Sequence, residues 1–254
     1  MRKSNRFWLA GRCGVSDRRQ RVGPELMDGE DFGRREVVAT FRYLAPTNRA
    51  FGGVRPLIRF LEREGRQWQP DRTYRILDVG CGLGDIPVAV ARWARRRGQR
   101  LRLEAIDINP ITAEMAQSYC SAYPEISVLC QDALAIADGA YDYVFASQFL
   151  HHFADGEIVE VIGHLLGLCA GKLVVSDLVW SVPHYAATWV YTLFTSDVFR
   201  HDARRSVKRG FTLGELAGLL DGQFRTCAFE RHFFYRFLLV IEASDNGSVK
   251  EAPV

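Results

Sequence analysis

The sequence predicts an α/β fold, a doubly wound parallel sheet with helices on both faces and an antiparallel hairpin at its C-terminal end. Three observations predict it. Short apolar strands alternate with helix-length segments between residues 75 and 177, and a glycine-rich turn follows the first strand. The last two apolar strands are joined by a connection too short for a parallel crossover.

The elements follow in order. Residues 1–23 carry seven cations against one anion and read as a basic, disordered tail. Residues 24–65 read as a helical cap. Val37, Phe41 and Leu44 recur at helical spacing from about Asp31 to Ala45, where Pro46 is expected to stop the helix. A turn through Phe51, Gly52 and Gly53 precedes a second helix carrying Leu57, Phe60 and Leu61 and ending at Gly65. Strands are expected at Arg75–Val79, Leu101–Asp107, Ile126–Cys130, Tyr141–Ser147 and Lys172–Asp177, with helices near 85–97, 110–120 and 155–169 between them. Residues 181–210 break this alternation with an aromatic helix followed by a polar, basic loop. Thr212 and Glu215 have capping-box spacing ahead of a helix through Leu216, Leu219 and Leu220. The hairpin strands fall near 223–231 and 234–242, and the tail from Ser244 is polar and expected to fray.

Composition narrows the function. With 48% hydrophobic and 25% charged residues in 254, the chain is neither disordered nor a fibrous repeat. Its net charge of +3 is a tail of +6 on a body of −3, which is not the pattern of a dedicated nucleic-acid binder. The six cysteines form no CxxC pair and no cluster with histidine, so a zinc site is not expected and the thiols fit a reducing compartment. No apolar run approaches the ~20 residues of a membrane span, and the expected location is cytoplasmic.

The chemistry starts at Ile76–Asp85, ILDVGCGLGD. A strand runs into Gly80, Gly82 and Gly84 and then a helix, so a ligand can approach backbone without Cβ obstruction at the N–H-rich end of that helix. Asp107 closes the next strand, placed for two ribose hydroxyls. The spacing is GxGxG, and Asp78 and Asp85 flank it. Carboxylates there repel a pyrophosphate and suit an ammonium group. The ligand implied is a nucleoside with a cationic amino-acid end and no phosphates.

From about Arg75 to Ala243 the chain resembles the class I S-adenosylmethionine-dependent methyltransferases. ILDVGCGLGD resembles their first motif, EAIDINP (104–110) their second, CQDAL (130–134) their third, and YDYVFASQFLHHF (141–153) their fourth strand and the turn after it. The resemblance implies a seven-stranded Rossmann-like sheet of order 3-2-1-4-5-7-6 with the last strand antiparallel. It implies S-adenosyl-L-methionine as cofactor, contacted by Asp78, Gly80, Cys81, Gly82, Gly84, Asp107, Ile108, Asp132, Ala133 and Ser147. Of these, Asp107 would hold the ribose, Ile108 would face the adenine, and Asp132 would lie near its amino group.

Methyl transfer to a hydroxyl needs an aligned nucleophile, exclusion of water and removal of a proton. His151 and His152 follow the fourth strand and Asp177 ends the fifth, so a histidine base oriented by a carboxylate is the expected catalytic pair. A histidine in such a turn also commonly bonds only backbone. Acceptor contacts are expected from Asn48, Phe51, Gln148, Tyr185, Trp189 and His201, with residues 181–210 as a lid. The fourth strand leads into Ala146–Ser147–Gln148–Phe149, not the Asn/Asp-Pro-Pro-Tyr/Phe of amino-group methyltransferases.

The reading favoured is a methyltransferase acting on a small, largely apolar acceptor, an aromatic or polyketide-like hydroxyl, with no metal. Three alternatives stand beside it. Methylation of an activated ring carbon would use the same pocket. A non-catalytic methyltransferase-like binding subunit is disfavoured by the intact glycines and acids. An RNA methyltransferase would use the basic tail, which lacks the interleaved aromatics of a stacking surface.

Overall fold

The computed structural model describes residues 33–50, 53–224, 227–232 and 235–243, together with residues 19, 22, 23, 25 and 26. One seven-stranded sheet organises them: β1 (Thr73–Val79), β2 (Arg100–Asp107), β3 (Ile126–Cys130), β4 (Tyr141–Ser147), β5 (Cys169–Leu178), β6 (Cys227–His232) and β7 (Arg236–Glu242). Their order is β3-β2-β1-β4-β5-β7-β6, as the sequence predicts. β1 pairs in parallel with β2 and β4, β2 with β3, and β4 with β5, whereas β7 runs antiparallel to both β5 and β6. The carboxyl ends of β1, β2, β4 and β5 therefore share one edge, and the start of β7 joins them through the Leu178–Arg236 register.

Eight helices complete the described fold: α1 (Arg34–Ala50), α2 (Arg55–Glu64), α3 (Asp85–Arg97), α4 (Pro110–Cys120), α5 (Ile158–Gly167), α6 (Val182–Tyr191), α7 (Asp197–Arg209) and α8 (Leu213–Leu220). Local chemistry sets their ends. The Asn109 side chain accepts from the amides of Ile111 (3.0 Å) and Thr112 (3.1 Å), with Pro110 at the first helical position of α4. The Thr212–Glu215 capping box opens α8 with both of its hydrogen bonds present. On one sheet face α2 and α3 bury Phe60, Trp68, Trp93 and Phe145; on the other α5 and α8 bury Leu77, Ile162, Phe211 and Phe237. Burial of this kind is worth about 1.5–3 kcal/mol per large side chain.

Three expectations need correction. Pro46 does not end the first helix, which continues to Ala50. Proline deletes only the amide bond to the carbonyl of Arg42, an exposed residue whose carbonyl water can satisfy, while the Thr47 hydroxyl caps the Tyr43 carbonyl at 2.6 Å. The expected basic loop after the aromatic helix is helix α7, opened by Ser196, whose hydroxyl accepts from the Phe199 amide. The helix expected from 155 starts at Ile158, because Gly156 follows Asp155 in the turn and Asp155 is committed to an ion pair with Arg19.

That ion pair also changes the picture of the N-terminus. Arg19 is buried; it donates to Phe153 O (3.2 Å) and Arg209 O (2.6 Å), and its guanidinium lies 3.7 Å from the centre of the Phe211 ring. The Leu26 amide donates to Asp202 of α7 at 2.7 Å. Of the residues expected to be a free tail, Arg19 is anchored. Residues 1–18 and 244–254, and with them the fraying expected from Ser244, lie outside the described residues.

Candidate active site

The turn after β1 holds three glycines at positive φ: Gly80 (64°), Gly82 (54°) and Gly84 (81°). Two of them are required. Gly82 lies on an open cavity, the nearest atom to a Cβ there being Phe41 Cε1 at 3.7 Å, so its backbone is bare to a ligand. At Gly84 a Cβ would come within 2.6 Å of Cys120 Sγ, so that glycine lets α3 and α4 pack. The Gly82 amide donates to Asp107 Oδ2 (3.0 Å), and Asp107 Oδ1 accepts from the Asn109 amide (3.0 Å). The second strand's acid thereby fixes the first strand's turn.

Three carboxyl groups crowd this end. Asp78 is fully buried under the turn, and among the described residues neither of its oxygens has a hydrogen-bond partner. Burial, then the charges of Asp85 and Asp107, push its carboxyl well above the usual range. Burial also raises Asp85 and Asp107, against the pull of backbone amides. A cationic ligand relieves such a cluster and an anionic one aggravates it, so the residues fit a cofactor carrying sulfonium and ammonium charges.

Two connected cavities lie along the strand tips. The smaller, about 150 Å³, is floored by Gly80, Cys81, Gly82, Asp85, Ser147 and Gln148. The larger, about 940 Å³, runs from Asp107, Ile108 and Asn109 past α1 to α6, α7 and the start of β7. Glu25, Phe41, Asn48, Gly82, Gln148, His152 and Ser206 line both.

At their junction His151 and Asp177 form the pair that the sequence brings together. His151 Nδ1 lies 2.7 Å from Asp177 Oδ1, while Asp177 also accepts from the amides of His151 (3.1 Å) and Leu178 (2.7 Å). A third partner was not legible: Glu25 Oε1 lies 3.4 Å from His151 Nε2. Burial alone would lower the His151 pKa, but Asp177 and Glu25 outweigh it and lift it to about 9. Burial likewise opposes ionisation of Glu25, yet its bond to His151 and the charge of His152 hold its carboxyl below the usual range. His151 is thus an imidazolium between two carboxylates at neutral pH, not a vacant base. His152 lies beside it, its ring tilted by 36° at 4.3 Å between ring centres, and reaches both cavities. Arg209 at the end of α7 donates to the carbonyls of His151 (2.7 Å) and His152, which fixes the turn. Glu25, His151 and His152 bring one ligand atom each within 4.8 Å of one another, a donor set of the type a divalent ion takes, although the Glu25–His151 ion pair already occupies two of the three.

A second polar network ties α1 to the strand tips. Gln148, at φ 54° in the left-handed region, donates through Nε2 to Asn48 Oδ1 (3.0 Å) and accepts from Arg236 Nη2 (3.2 Å). Arg236 is buried; desolvation lowers its pKa to about 10 against the pull of Asp177 and Asp85.

The remaining expected residues are distributed as follows. Gly80, Cys81, Gly82, Asp107, Ile108, Ser147, Asn48, Gln148, His151 and His152 line the cavities. Asp78, Gly84 and Asp177 stand directly behind that wall. Asp132 caps the short turn 133–135 by accepting from the Leu134 amide (2.9 Å), and Ala133 is buried there with its carbonyl near His164 Nε2 (3.0 Å); neither lines a cavity. Trp189 is on the outer side of α6, because the helix turns His184, Thr188 and Tyr191 inward instead. Tyr185 packs against Trp180 under Lys208, and His201 Nδ1 is 2.9 Å from Asp202, both off the cavity walls. Phe51 lies outside the described residues. Glu25, Tyr191, Ser206 and Arg236 were missed, since each reaches the site from a segment without a local motif.

Residues 76–170 match a family model described as a methyltransferase domain. Among solved structures the chain is similar to magnesium protoporphyrin IX methyltransferase (ChlM) from Synechocystis PCC 6803 with bound SAH, at 19% identity over 79% of this chain and 87% of that one, TM-score 0.56. It is also similar to the CMeT domain of the citrinin polyketide synthase, at 16% identity over 82% and 56% of the two chains, TM-score 0.62. The plantazolicin methyltransferase BamL, in complex with a triazolic desmethylPZN analog and SAH, gives 14% identity over 83% and 95%, TM-score 0.60. No curated protein matches the sequence. Residues 76–170 thus carry a methyltransferase domain, and the sheet has the strand order of the class I, S-adenosylmethionine-dependent methyltransferase fold.

Proposed function

We propose that the protein methylates a hydroxyl of a small, largely apolar acceptor of aromatic or polyketide-like type. The observation that carries this reading is the large cavity, which begins at the Gly82–Asp107 end and continues between α1, α6 and α7 over Leu44, Leu178, Ala187, Tyr191 and Phe199. When bound, S-adenosylmethionine supplies an electrophilic methyl group. Asp107 and the turn amides hold its ribose end, and the buried acids Asp78 and Asp85 favour its cationic end.

The acceptor oxygen is placed beside His152, which takes its proton in the field of Glu25. The His151 imidazolium is held between Asp177 and Glu25, which fixes the turn. Helices α6 and α7 cover the cavity and exclude water. The likeness to BamL, whose structure contains a small-molecule analog, also favours a small-molecule acceptor. A second reading, methylation of an activated ring carbon, draws on the likeness to a polyketide synthase CMeT domain; it needs the same cavity and proton acceptor.

The test is transfer of labelled methyl to a panel of phenols and polyketide-like acids, with the product's methylated atom read by mass spectrometry. Label on phenolic oxygen supports the first reading, and label on carbon selects the second. Cofactor binding with label in RNA alone overturns both.

A further inference from the structure

Helix α6 is inverted. His184, Ala187, Thr188 and Tyr191, at i, i+3, i+4 and i+7, face the large cavity. The opposite side carries Val182, Ala186, Trp189 and Val190, at i, i+4, i+7 and i+8, and continues through Leu193 and Phe194. No residue of α6 is buried, and Val182 is 72%, Val190 65% and Phe194 91% exposed. A surface helix ordinarily buries its apolar stripe and shows its polar one. A contiguous exposed stripe of this kind marks a surface that is covered in use.

Charge identifies the cover. Residues 182–209 hold five cations, Arg200, Arg204, Arg205, Lys208 and Arg209, against Asp197 and Asp202. The Arg204 guanidinium lies 4.0 Å from the centre of the Trp189 ring and the Lys208 ammonium 5.1 Å from that of Tyr185, so cations rim the stripe. Asp197, exposed at this rim, is paired with Arg200 at 3.1 Å. An apolar helical face with tryptophan and tyrosine at its edge and a basic rim has the composition of an interfacial helix. A second copy docked face to face would set these cations against one another.

We infer that the outer face of α6 docks on an anionic lipid surface. The apolar side chains enter the boundary between headgroups and acyl chains, and the cations of α7 take the headgroup charge. The inner face of the same helix walls the cavity, so an acceptor dissolved in the bilayer would reach the site without crossing water. That last step alone rests on the proposed acceptor class.

The full chain is sedimented with vesicles of equimolar phosphatidylcholine and phosphatidylglycerol, and with phosphatidylcholine alone. Binding to the first, weak binding to the second, and loss of about ten-fold in partitioning for Val190→Asp and Phe194→Asp are expected. S-adenosylmethionine affinity should not change in either variant, which separates loss of docking from loss of fold and from failure of the methyltransferase reading. Absence of wild-type binding overturns the inference. So does equal binding by wild type and variants, which assigns any affinity to the basic tail alone. A dimer in light scattering that Phe194→Asp abolishes, without vesicle binding, assigns the stripe to a second copy and overturns it as well.

Discussion

The two halves of the cavity are built in different ways. At the cofactor end, Gly82 and Asp107 are bonded to each other, and the strand, turn and helix that place them are continuous in sequence. At the acceptor end, Glu25, Asn48, His152, Tyr191 and Arg236 meet from five separate segments, and His152 is held by Arg209 from a sixth. A half built from local backbone tolerates divergence elsewhere in the chain, whereas a half assembled from remote side chains changes when any contributor changes. The first half defines the reaction class and the second the acceptor.

The largest expected effect falls on the second half. His152→Ala should lower turnover by ~10²–10⁴ if the histidine takes the acceptor proton, with a far smaller change in cofactor affinity by titration calorimetry. Wild-type turnover in that variant would erase the chemical distinction between the halves and leave alignment as the whole of catalysis.

Next is the pH dependence of the His151 cluster. The folded-state pKa, about 9, lies above the ordinary 6.5. Its contribution to stability is therefore fully present below about pH 6.5 and is lost as pH rises through 9, by up to about 3 kcal/mol. Asp177 and Glu25 are held below the ordinary carboxylate range, so their contribution is present at neutral pH and fades in acid. Urea unfolding from pH 6 to about 9.5 should show the alkaline loss in wild type and a flatter profile in His151→Gln. Identical slopes would mean that the triad is not charged as described.

On the cofactor side, Asp107→Ala should weaken S-adenosylmethionine by roughly 1.5–3 kcal/mol, the scale of hydrogen bonds to a charged group. Unchanged affinity would remove Asp107 from the ribose. The smallest effect sharpens the lid. Tyr191→Ala, which removes a cavity wall and the 2.8 Å contact with the Thr47 hydroxyl, should raise acceptor KM several-fold, by about 1 kcal/mol. Trp189→Ala should leave KM nearly unchanged. A reversal of that order would place the acceptor outside the described cavity.

This division also explains what could be read beforehand. Alternating strands, three glycines at fixed spacing and a terminal acid are short-range signals, so the parallel sheet and the residues at Gly80–Gly84 and Asp107 were legible, while the strand order came from the resemblance to the methyltransferases. The His151–Asp177 pair followed from topology, since adjacent parallel strands place their tips side by side. Glu25 was not legible: it sits in a charged stretch without periodicity, and long-range contacts, Arg19 to Asp155 and the Leu26 amide to Asp202, explain why that stretch lies on the site. Trp189 was misread because an aromatic residue in a cover helix ordinarily faces inward, and α6 does the opposite. Pro46 misled for a similar reason, an exposed carbonyl being cheap to leave to water.

The Arg19 anchor has a consequence for translation. The chain contains a second methionine, Met27, two residues beyond Glu25. A polypeptide begun there would retain all seven strands and all eight helices described, and with them the cores on both sheet faces. It would lack Arg19, Glu25 and Leu26, and so one side of the His151 clamp and a wall of both cavities. Such a product would keep the sheet and its two cores while carrying an incomplete site.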